Sequence, residues 1–331
     1  MQLKQIKNSI FVSNIIKMKK VVSLLVFAFM LNSCNDGDLI QEDLNFEDVA
    51  TQSCQTNGLL YKVKDNEALI LEIPGVNFPT QTTSQELDIN ERNRVLYRFY
   101  SGAVTSATLC ESIPPAQPIV TDQWTGSNGK IQINTTAVKT VNTTDNSTKI
   151  TGYNHNITFK NITFVRSNGT QVYETFPFGN YVISATPLPF AFNKTLKQCS
   201  VSKQIYDKNS SEALILDIDP TLITNLVTPL NGPRTGLIGN SINKLTYRLF
   251  SGLLTDDYFC NATFPAIPVV SEEWIAVTGL GNESGIVEVT TTSFGTGFKH
   301  TIVLKKVKIK KGNSDFLLGD NYLYGELLTT N

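Results

Sequence analysis

Short apolar runs and alternating apolar and polar positions follow one another along most of the chain. The run EALILEI at positions 67–73 returns as EALILDI at 212–218, which is 145 positions later. Val95, Tyr97 and Phe99 share one side of an alternating segment, and further alternation surrounds Ile131 and Ile133. Period-two alternation is typical of half-buried strands, and short apolar runs are typical of strands buried on both faces. The pattern therefore predicts an all-β protein.

The repeated run belongs to a longer internal match. It includes Cys54 with Cys199, the motif YRFYSG at 97–102 with YRLFSG at 247–252, Cys110 with Cys260, Trp124 with Trp274, and Gly179 and Tyr181 with Gly319 and Tyr322. The offset drifts because each copy has insertions in polar stretches, and the first copy is longer between Gly129 and Tyr153. The match predicts two tandem antiparallel β-sandwich domains, at most immunoglobulin-like, related by internal duplication. The predicted segments are repeat 1 at 53–187, a linker at 188–198 and repeat 2 at 199–331.

One strand in each copy shifts its in-and-out phase. Tyr153, His155, Ile157 and Phe159 share a face, and Ile162 and Phe164 continue after a three-residue step. The second copy repeats the step between Leu304 and Val307. A β-bulge resets the phase in this way, and a sharp bend between two paired strands would do the same.

The N-terminus has the pattern of an export signal. Met18-Lys19-Lys20 precedes an apolar run at 21–31 that is too short to span a bilayer, and Leu31-Asn32-Ser33-Cys34 follows. This ending resembles the lipobox of bacterial lipoproteins, which implies cleavage after residue 33 and lipid attachment to Cys34. Residues 1–17 are predicted to precede the true start. The alternative is an ordinary secretory signal with an incidental cysteine.

An acidic segment at 34–52 is predicted to be a flexible tether. It resembles the acidic segments after the lipidated cysteine in Bacteroidota-type surface lipoproteins, which implies display on the cell surface of the outer membrane. A spacer facing the periplasm is the alternative. Without residues 1–33 the chain has 23 basic and 29 acidic residues, a formal charge of −6. This charge gives no field that would attract nucleic acid, and none is expected as a partner.

Four cysteines remain after Cys34 is set aside, two in each copy. Three pairings are possible, and only Cys54–Cys110 with Cys199–Cys260 gives both copies the same covalent structure. Exported proteins form disulfides in an oxidising compartment. A bond that closes a loop of roughly 60 residues contributes about 4 kcal/mol on the chain-entropy estimate. A metal site is the rival interpretation, but the compact spacing of zinc ligands is absent.

The two histidines, His155 and His300, occupy matching positions. Each could be a metal ligand or a general base, but its place on the apolar face of a strand favours a structural role with a hydrogen-bonded ring. We also predict two cross-strand ion pairs, Arg98 with Glu72 and Arg248 with Asp217. The alternative is an arginine that binds a ligand.

Trp124 and Trp274 each follow a Pro-rich segment at matching positions. They are predicted to fill the core, and a sugar-stacking platform is the alternative. In the basic run at 305–311, Lys306, Lys308 and Lys310 are predicted to face solvent while Val307 and Ile309 face inward. Such lysines shield an exposed or edge strand from mispairing. The alternative is a patch that binds an anionic polysaccharide or lipopolysaccharide.

The sequence contains none of the motifs HExxH or GxSxG, and neither a phosphate-binding glycine loop nor a compact acidic calcium loop. We therefore expect no enzyme activity, no cofactor and no bound metal. A pair of carboxylates carries no visible signature, so carboxylate-based hydrolysis is kept as the least favoured hypothesis.

Together, the lipobox and the repeated Cys, EALIL, YRxxSG, Cys and Trp motifs resemble uncharacterised Bacteroidota-type outer-membrane lipoproteins. The resemblance implies a location and an architecture without an assigned activity. The leading hypothesis is a lipid-anchored, non-enzymatic envelope protein that presents two β-sandwiches to a protein partner or an adhesion surface. A glycan-binding accessory lipoprotein is the alternative, which a groove lined by aromatic side chains would favour.

Overall fold

A computed structural model describes residues 44–55, 58–74, 78–167, 169–229, 232–261, 263 and 265–330. The predicted signal peptide, Cys34 and most of the acidic tether lie outside these residues. In the first half the strands are β1 (Gln52–Ser53), β2 (Leu60–Lys64), β3 (Glu67–Glu72), β4 (Thr83–Asp88), β5 (Arg94–Tyr100), β6 (Val120–Val141), β7 (Thr148–Arg166) and β8 (Gly169–Ser184), with a short helix α1 (Ser106–Cys110).

The second half follows with shorter elements. Its strands are β9 (Lys197–Gln198), β10 (Ile205–Lys208), β11 (Glu212–Asp217), β12 (Arg234–Leu237), β13 (Lys244–Phe250), β14 (Val270–Ala276), β15 (Ile286–Phe294), β16 (Gly297–Lys305), β17 (Lys308–Lys311), β18 (Ser314–Leu317) and β19 (Asn321–Thr330), with a 3-10 turn (Pro220–Ile223) and a helical turn α2 (Asp257–Cys260). No helix among the described residues is both long enough and apolar enough to cross a membrane.

The strands of the first half form a single eight-stranded antiparallel sheet that supplies two layers. Its order is β1-β2-β3-β5-β6-β7-β8, and β4 also pairs with β6. The long strand β6 pairs with β5 through residues 120–125 and with β4 through residues 130–135. In the second half the two layers are separate sheets, β18-β17-β14-β13-β11-β10-β9 and β12-β15-β16-β19, whose buried side chains share a core. The predicted all-β antiparallel sandwich architecture is confirmed.

The position of the repeated run in the fold explains why it is continuously apolar. In β11, Leu214 and Leu216 face the sandwich core, while Ala213 and Ile215 face a second cluster that includes Cys199 and residues of α2. The equivalent strand β3 is likewise buried on both faces. A strand covered on both faces needs an unbroken apolar run. The helical turns that provide the second cover are attached by the predicted disulfides Cys54–Cys110 and Cys199–Cys260, which are both confirmed.

The predicted phase shift is a bend between layers. Asn161 in β7 and Lys306 after β16 have positive φ angles of 50° and 48°. In the first half the strand stays continuous through the bend, whereas in the second half it ends and resumes as β17 in the other sheet. Gly129 permits the bend in the first half, since its φ is 103° and a Cβ atom there would lie 2.5 Å from the Lys160 carbonyl oxygen.

The predicted match of Gly179 with Gly319 is wrong. Gly179 lies opposite Ile157, and it is Gly325 that lies opposite Ile302, the counterpart of Ile157 at the 145-residue offset. Gly319 lies in the short loop between β18 and β19, and it precedes Tyr322 by three positions, whereas Gly179 precedes Tyr181 by two. Duplication of an ancestral domain stays a prediction.

Two segments outside the predicted repeats pack against the sheets, and residues 46–331 form one compact unit. Phe46 is 2% exposed, and its ring meets Tyr97 edge-on at 5.8 Å. Phe190, in the predicted linker, stacks on Tyr247 at 4.5 Å. The flexible-tether prediction is therefore wrong for Phe46, because a buried ring fixes that part of the chain.

Candidate functional site

The predicted ion pair between Arg98 and Glu72 is wrong. In the antiparallel register Glu72 lies opposite Arg94, and these two side chains pair at 2.9 Å. Arg98 lies opposite Ala68, four residues along the strand from Glu72, and donates through Nε to Gln123 at 2.7 Å. The distance along the strand, about 13 Å at 3.3 Å per residue, is beyond direct contact.

The second predicted pair fails for the same reason. Arg248 lies opposite Ala213 and pairs with Glu273 at 2.7 Å. Asp217 lies opposite Lys244 and accepts a hydrogen bond from Gln204 at 2.6 Å. Both predictions chose the correct neighbouring strands but the wrong register.

The lysine run has the predicted facing. Val307 and Ile309 are fully buried, and Lys306, Lys308 and Lys310 are exposed. However, β17 lies between β14 and β18, so it is not an edge strand, and the edges of that sheet are β18 and β9. Whether the three lysines bind an anionic ligand stays a prediction.

Both tryptophans are core residues, as predicted. Trp124 is 1% exposed and Trp274 is 4% exposed. Each indole Nε1 donates to a carboxylate two residues earlier, Asp122 at 3.1 Å and Glu272 at 2.9 Å. The two halves therefore use the same local contact.

The histidines are both fully buried, and each Nδ1 atom lies 2.8 Å from a threonine hydroxyl, Thr135 for His155 and Thr291 for His300. Burial lowers the pKa of both imidazoles, and the nearby charge of Arg234 lowers the pKa of His300 further. Neutral, hydrogen-bonded rings inside the core fit the structural role that was predicted.

A cavity of about 570 Å³ lies between the two halves. The first half contributes the tip of the β6–β7 hairpin and the chain that follows β8. The second half contributes the start of β14 and the β18–β19 region. Its lining residues are Thr80, Asn142, Asp145, Ser147, Thr148, Lys149, Ile150, Tyr153, Ala185, Thr186, Leu188, Pro189, Phe190, Glu272, Trp274, Phe316, Leu317, Leu318 and Tyr322. We call it the inter-half cleft.

The hairpin wall of the cleft is fixed by contacts across the boundary. Lys139 pairs with Asp315 at 2.6 Å, and the Leu317 N–H donates to the Thr148 hydroxyl at 2.8 Å. The Asp320 N–H donates to the Asp145 carbonyl oxygen at 2.7 Å. This hairpin is the segment in which the first copy is longer than the second, so the extra residues build one wall of the cleft.

Aromatic rings form the floor of the cleft. Trp274 and Phe316 are in edge contact at 5.3 Å, and Phe316 meets Phe190 at 5.6 Å. Phe190 also approaches Tyr322 at 6.4 Å. Phe190 comes from the predicted linker, so the floor also joins residues from different parts of the chain.

Carboxylates stand at two places in the lining. Glu272 accepts through Oε2 from Trp274 and pairs through the same atom with Lys311 at 3.3 Å. Its charge contributes to the raised pKa of Tyr153, for which burial is the larger cause. At the rim, the backbone N–H of Ser147 donates to Asp145 at 2.9 Å and lowers the pKa of that carboxyl group.

The ionisable side chains of the lining set the chemistry that the cleft offers. Neither histidine lines the cleft, and the described residues contain no cluster of three or more His, Cys, Asp or Glu side chains arranged to hold a metal. A general acid needs a carboxyl group with a raised pKa, whereas the pKa of Asp145 is lowered. The arrangement offers apolar ring surface and hydrogen-bonding groups side by side.

Sequence reasoning did not find the cleft. Its lining comes from several separate segments, and alternation within one segment gives no information on which segments meet. The longer polar stretch in the first copy was the available signal. Comparison of the chain with protein-family models, with curated proteins and with solved structures gives no match.

Proposed function

We propose that the protein is a non-enzymatic, lipid-anchored envelope protein that binds a ligand in the inter-half cleft. The observation that carries this proposal is the cleft itself, about 570 Å³ and lined by residues of both halves. Ligand sites are typically concave, between about 300 and 1,000 Å³, and mostly apolar with a few placed polar groups. The floor of rings and the carboxylates of Asp145 and Glu272 match that description.

Export to the outer membrane belongs to the same proposal. It is supported by the lipobox-like sequence ending at Cys34 and by the two disulfides, which suit an oxidising compartment. Display on the cell surface is tested by protease treatment of intact cells. Digestion only after the outer membrane is opened would place the protein on the periplasmic face.

Trp274 provides a direct test of cleft binding, because it lines the cleft and Trp124 is the other tryptophan in the chain. In a Trp124→Phe background, a ligand that enters the cleft should change the fluorescence of Trp274 in a saturable way. Thr186→Arg places a long side chain in the lining and should weaken binding. Thr170→Arg, an exposed position on β8 outside the lining, is the matched control. Equal affinity in both variants would contradict the proposed site.

Binding of a protein partner is a second candidate, and a separate surface favours it. Leu253, Ile267 and Val269 are 79%, 81% and 58% exposed, and the Ser251 N–H donates to the Val269 carbonyl oxygen, which brings their segments together. Exposed apolar groups that lie close together often mark interaction sites. Crosslinking in intact cells with wild type and with Leu253→Ser/Ile267→Ser would test it, and an unchanged crosslinking pattern would count against it.

A further inference from the structure

We infer that the inter-half cleft binds a neutral saccharide, and this inference rests on the proposed function. The first argument is the arrangement of apolar surface. A sugar ring has a face of C–H groups that packs on aromatic rings while its edge carries hydroxyl groups. Phe190 and Tyr322 are partly exposed rings of the lining whose centroids lie 6.4 Å apart, and the buried rings of Phe316 and Trp274 support them from the core. Burial of apolar area against such rings stabilises a complex by about 25 cal/mol per Å².

The second argument is the hydrogen-bonding capacity of the lining. Glu272 uses Oε2 for both Trp274 and Lys311, and within the described part of the chain no hydrogen bond reaches its Oε1 atom. Asp145 accepts from Ser147 through Oδ1. The remaining carboxylate oxygens accept hydrogen bonds from hydroxyl groups, which a saccharide has in excess. Carboxylates are strong acceptors because they are charged.

The third argument is charge. The ionisable acids and bases among the lining residues that carry charge near neutral pH are Asp145, Lys149 and Glu272. Lys311 sits 3.3 Å from Glu272, so the region has balanced charge and no cluster of cations. Phosphate, sulfate and uronate groups are typically bound by such clusters or by bidentate arginines. The exposed lysines Lys306, Lys308 and Lys310 are absent from the lining, so they do not change this balance.

The shape of the cleft favours the end of an oligosaccharide over the middle of a long, flat polysaccharide chain. The hairpin wall closes the cleft on one side through the Leu317 to Thr148 hydrogen bond and the Lys139 to Asp315 pair. A concave site bounded in this way takes the terminus of an oligosaccharide. The amide of Asn142 and the ammonium of Lys149, both in the lining, donate hydrogen bonds to its hydroxyl oxygens.

The experiment uses the full mature chain with Trp124→Phe, so that Trp274 reports from the cleft. Maltotetraose, mannotetraose and chitotetraose are the neutral probes, tetragalacturonate is the anionic probe, and a library of neutral hexapeptides represents peptide ligands. We expect saturable fluorescence changes with at least one neutral sugar and none with tetragalacturonate. Calorimetry then gives the affinity of each variant.

Glu272→Gln should weaken the neutral sugar about tenfold, since a hydrogen bond to a charged group contributes about 1.5–3 kcal/mol. Asp122→Asn, made in the chain that keeps Trp124 and measured by calorimetry beside Glu272→Gln in that same chain, is the matched control, because Asp122 contacts Trp124 in the first half as Glu272 contacts Trp274. Lys149→Ala, at the rim, provides a second variant that leaves the Trp274 contact intact. Equal thermal stability of the variants shows that they fold.

The outcomes separate the two proposals. Peptide or tetragalacturonate binding that Thr186→Arg weakens would overturn the saccharide inference and keep the cleft as the binding site. Sugar binding that is equal in Glu272→Gln, Lys149→Ala and Thr186→Arg would overturn the cleft itself. If no probe of any class changes the Trp274 signal, both proposals fail. Sugar binding weakened by the cleft variants, with Asp122→Asn unaffected, supports both.

Discussion

His155 and His300 occupy matching places in the two halves, but their second ring nitrogens have different surroundings. His300 Nε2 lies 3.0 Å from the Thr329 hydroxyl. His155 Nε2 is buried and has no hydrogen-bond partner among the described residues. Ile183 stands where Thr329 stands in the second half, since Ile183 lies opposite Tyr153 and Thr329 lies opposite Phe298.

In the second half the neighbouring groups form a directed chain of hydrogen bonds. Arg234 donates to the Thr291 hydroxyl at 2.9 Å, so the hydrogen of that hydroxyl is available for His300 Nδ1. His300 then carries its own proton on Nε2 and donates to Thr329, whose hydroxyl donates to Asn225 at 2.7 Å. The chain assigns the neutral Nε2–H tautomer to His300.

In the first half this chain is incomplete. Gln85 occupies the place of Arg234, and its amide nitrogen is also buried without a partner among the described residues. The His155 ring keeps its contact with Thr135 at 2.8 Å and packs against the ring of Phe78 at 4.8 Å. A buried polar group without a partner costs about 1–3 kcal/mol. The second ring nitrogen of the buried histidine therefore joins a polar network in the second half, whereas the corresponding ring in the first half has an aromatic neighbour.

The largest expected difference in stability between the two halves comes from replacing each histidine by phenylalanine. His300→Phe leaves the hydrogen of Thr291 without an acceptor and removes the donor to Thr329, so the free energy of unfolding should fall by about 3 kcal/mol. His155→Phe leaves Thr135 without its partner but removes the unpaired nitrogen, so the loss should be about 1 kcal/mol. Urea unfolding followed by circular dichroism measures both. Equal losses would mean that the networks do not differ in strength.

Exchanging Thr329 and Ile183 between the two halves isolates the contribution of the histidine Nε2 atom to stability. Thr329→Ile leaves the Nε2–H group of His300 buried and unpaired, and should cost about 1–2 kcal/mol. Ile183→Thr offers His155 a partner but removes apolar contact, so its effect should be within about 1 kcal/mol of zero. A double-mutant cycle is the control: Thr329→Ile should cost much less when His300 is already phenylalanine.

A fall in pH should lower the free energy of unfolding, because both buried imidazole rings are neutral in the folded protein. Burial lowers the folded-state pKa of His155 and His300, whereas the unfolded chain titrates near pH 6.5. The stability they contribute is complete above about pH 6.5 and is lost as the pH falls below it, by up to about 1.4 kcal/mol per pH unit for each ring.

Unfolding measured between pH 7.5 and 5.5 should therefore show a falling stability, and the doubly substituted His155→Phe/His300→Phe protein should show a flatter curve. At lower pH the buried Asp207, whose pKa is raised by burial, acts in the opposite direction. A wild-type curve as flat as that of the double variant between pH 7.5 and 5.5 would show that the folded state protonates the imidazoles as readily as the unfolded chain does.

The smallest expected effect concerns the exposed ion pair of the first half. Arg94 and Glu72 are 40% and 28% exposed in their side chains, so their coupling energy should be below about 1 kcal/mol. Arg98 and Glu72 should show no coupling, because Arg98 contacts Gln123. Double-mutant cycles with Arg94→Met, Arg98→Met and Glu72→Gln give both energies. Coupling confined to Arg98 and Glu72 would reverse the register described above.

The sequence was sufficient for features that depend on one segment or on simple pairing. Alternation placed β5 and the later part of β6, and symmetry between the copies selected Cys54–Cys110 and Cys199–Cys260. Period two tells which face a side chain takes, and a pairing of four cysteines has few solutions. Burial of Trp124 and Trp274 followed from their place after a Pro-rich segment that is shared by both copies.

Features that depend on which residues lie opposite one another in paired strands could not be predicted from the sequence. The predicted partner of Glu72 was Arg98, because both lie on neighbouring strands, but the length of the connection between β3 and β5 leaves the register free. The cleft escaped prediction for a related reason, since Phe190, Trp274 and Phe316 come from three distant segments. Phe46 was hidden by its acidic neighbours, whose composition indicated a solvated tether.

The contacts made by the longer hairpin bear on any attempt to study the halves separately. Ile150 and Tyr153 belong to the same buried cluster as Trp274 and Phe316, and Ile183 packs against it. A fragment ending near residue 187 would place these side chains in water, and the remaining fragment would lose the cover over Trp274. A protease cut in the intervening chain should therefore leave two pieces that co-purify until they are denatured.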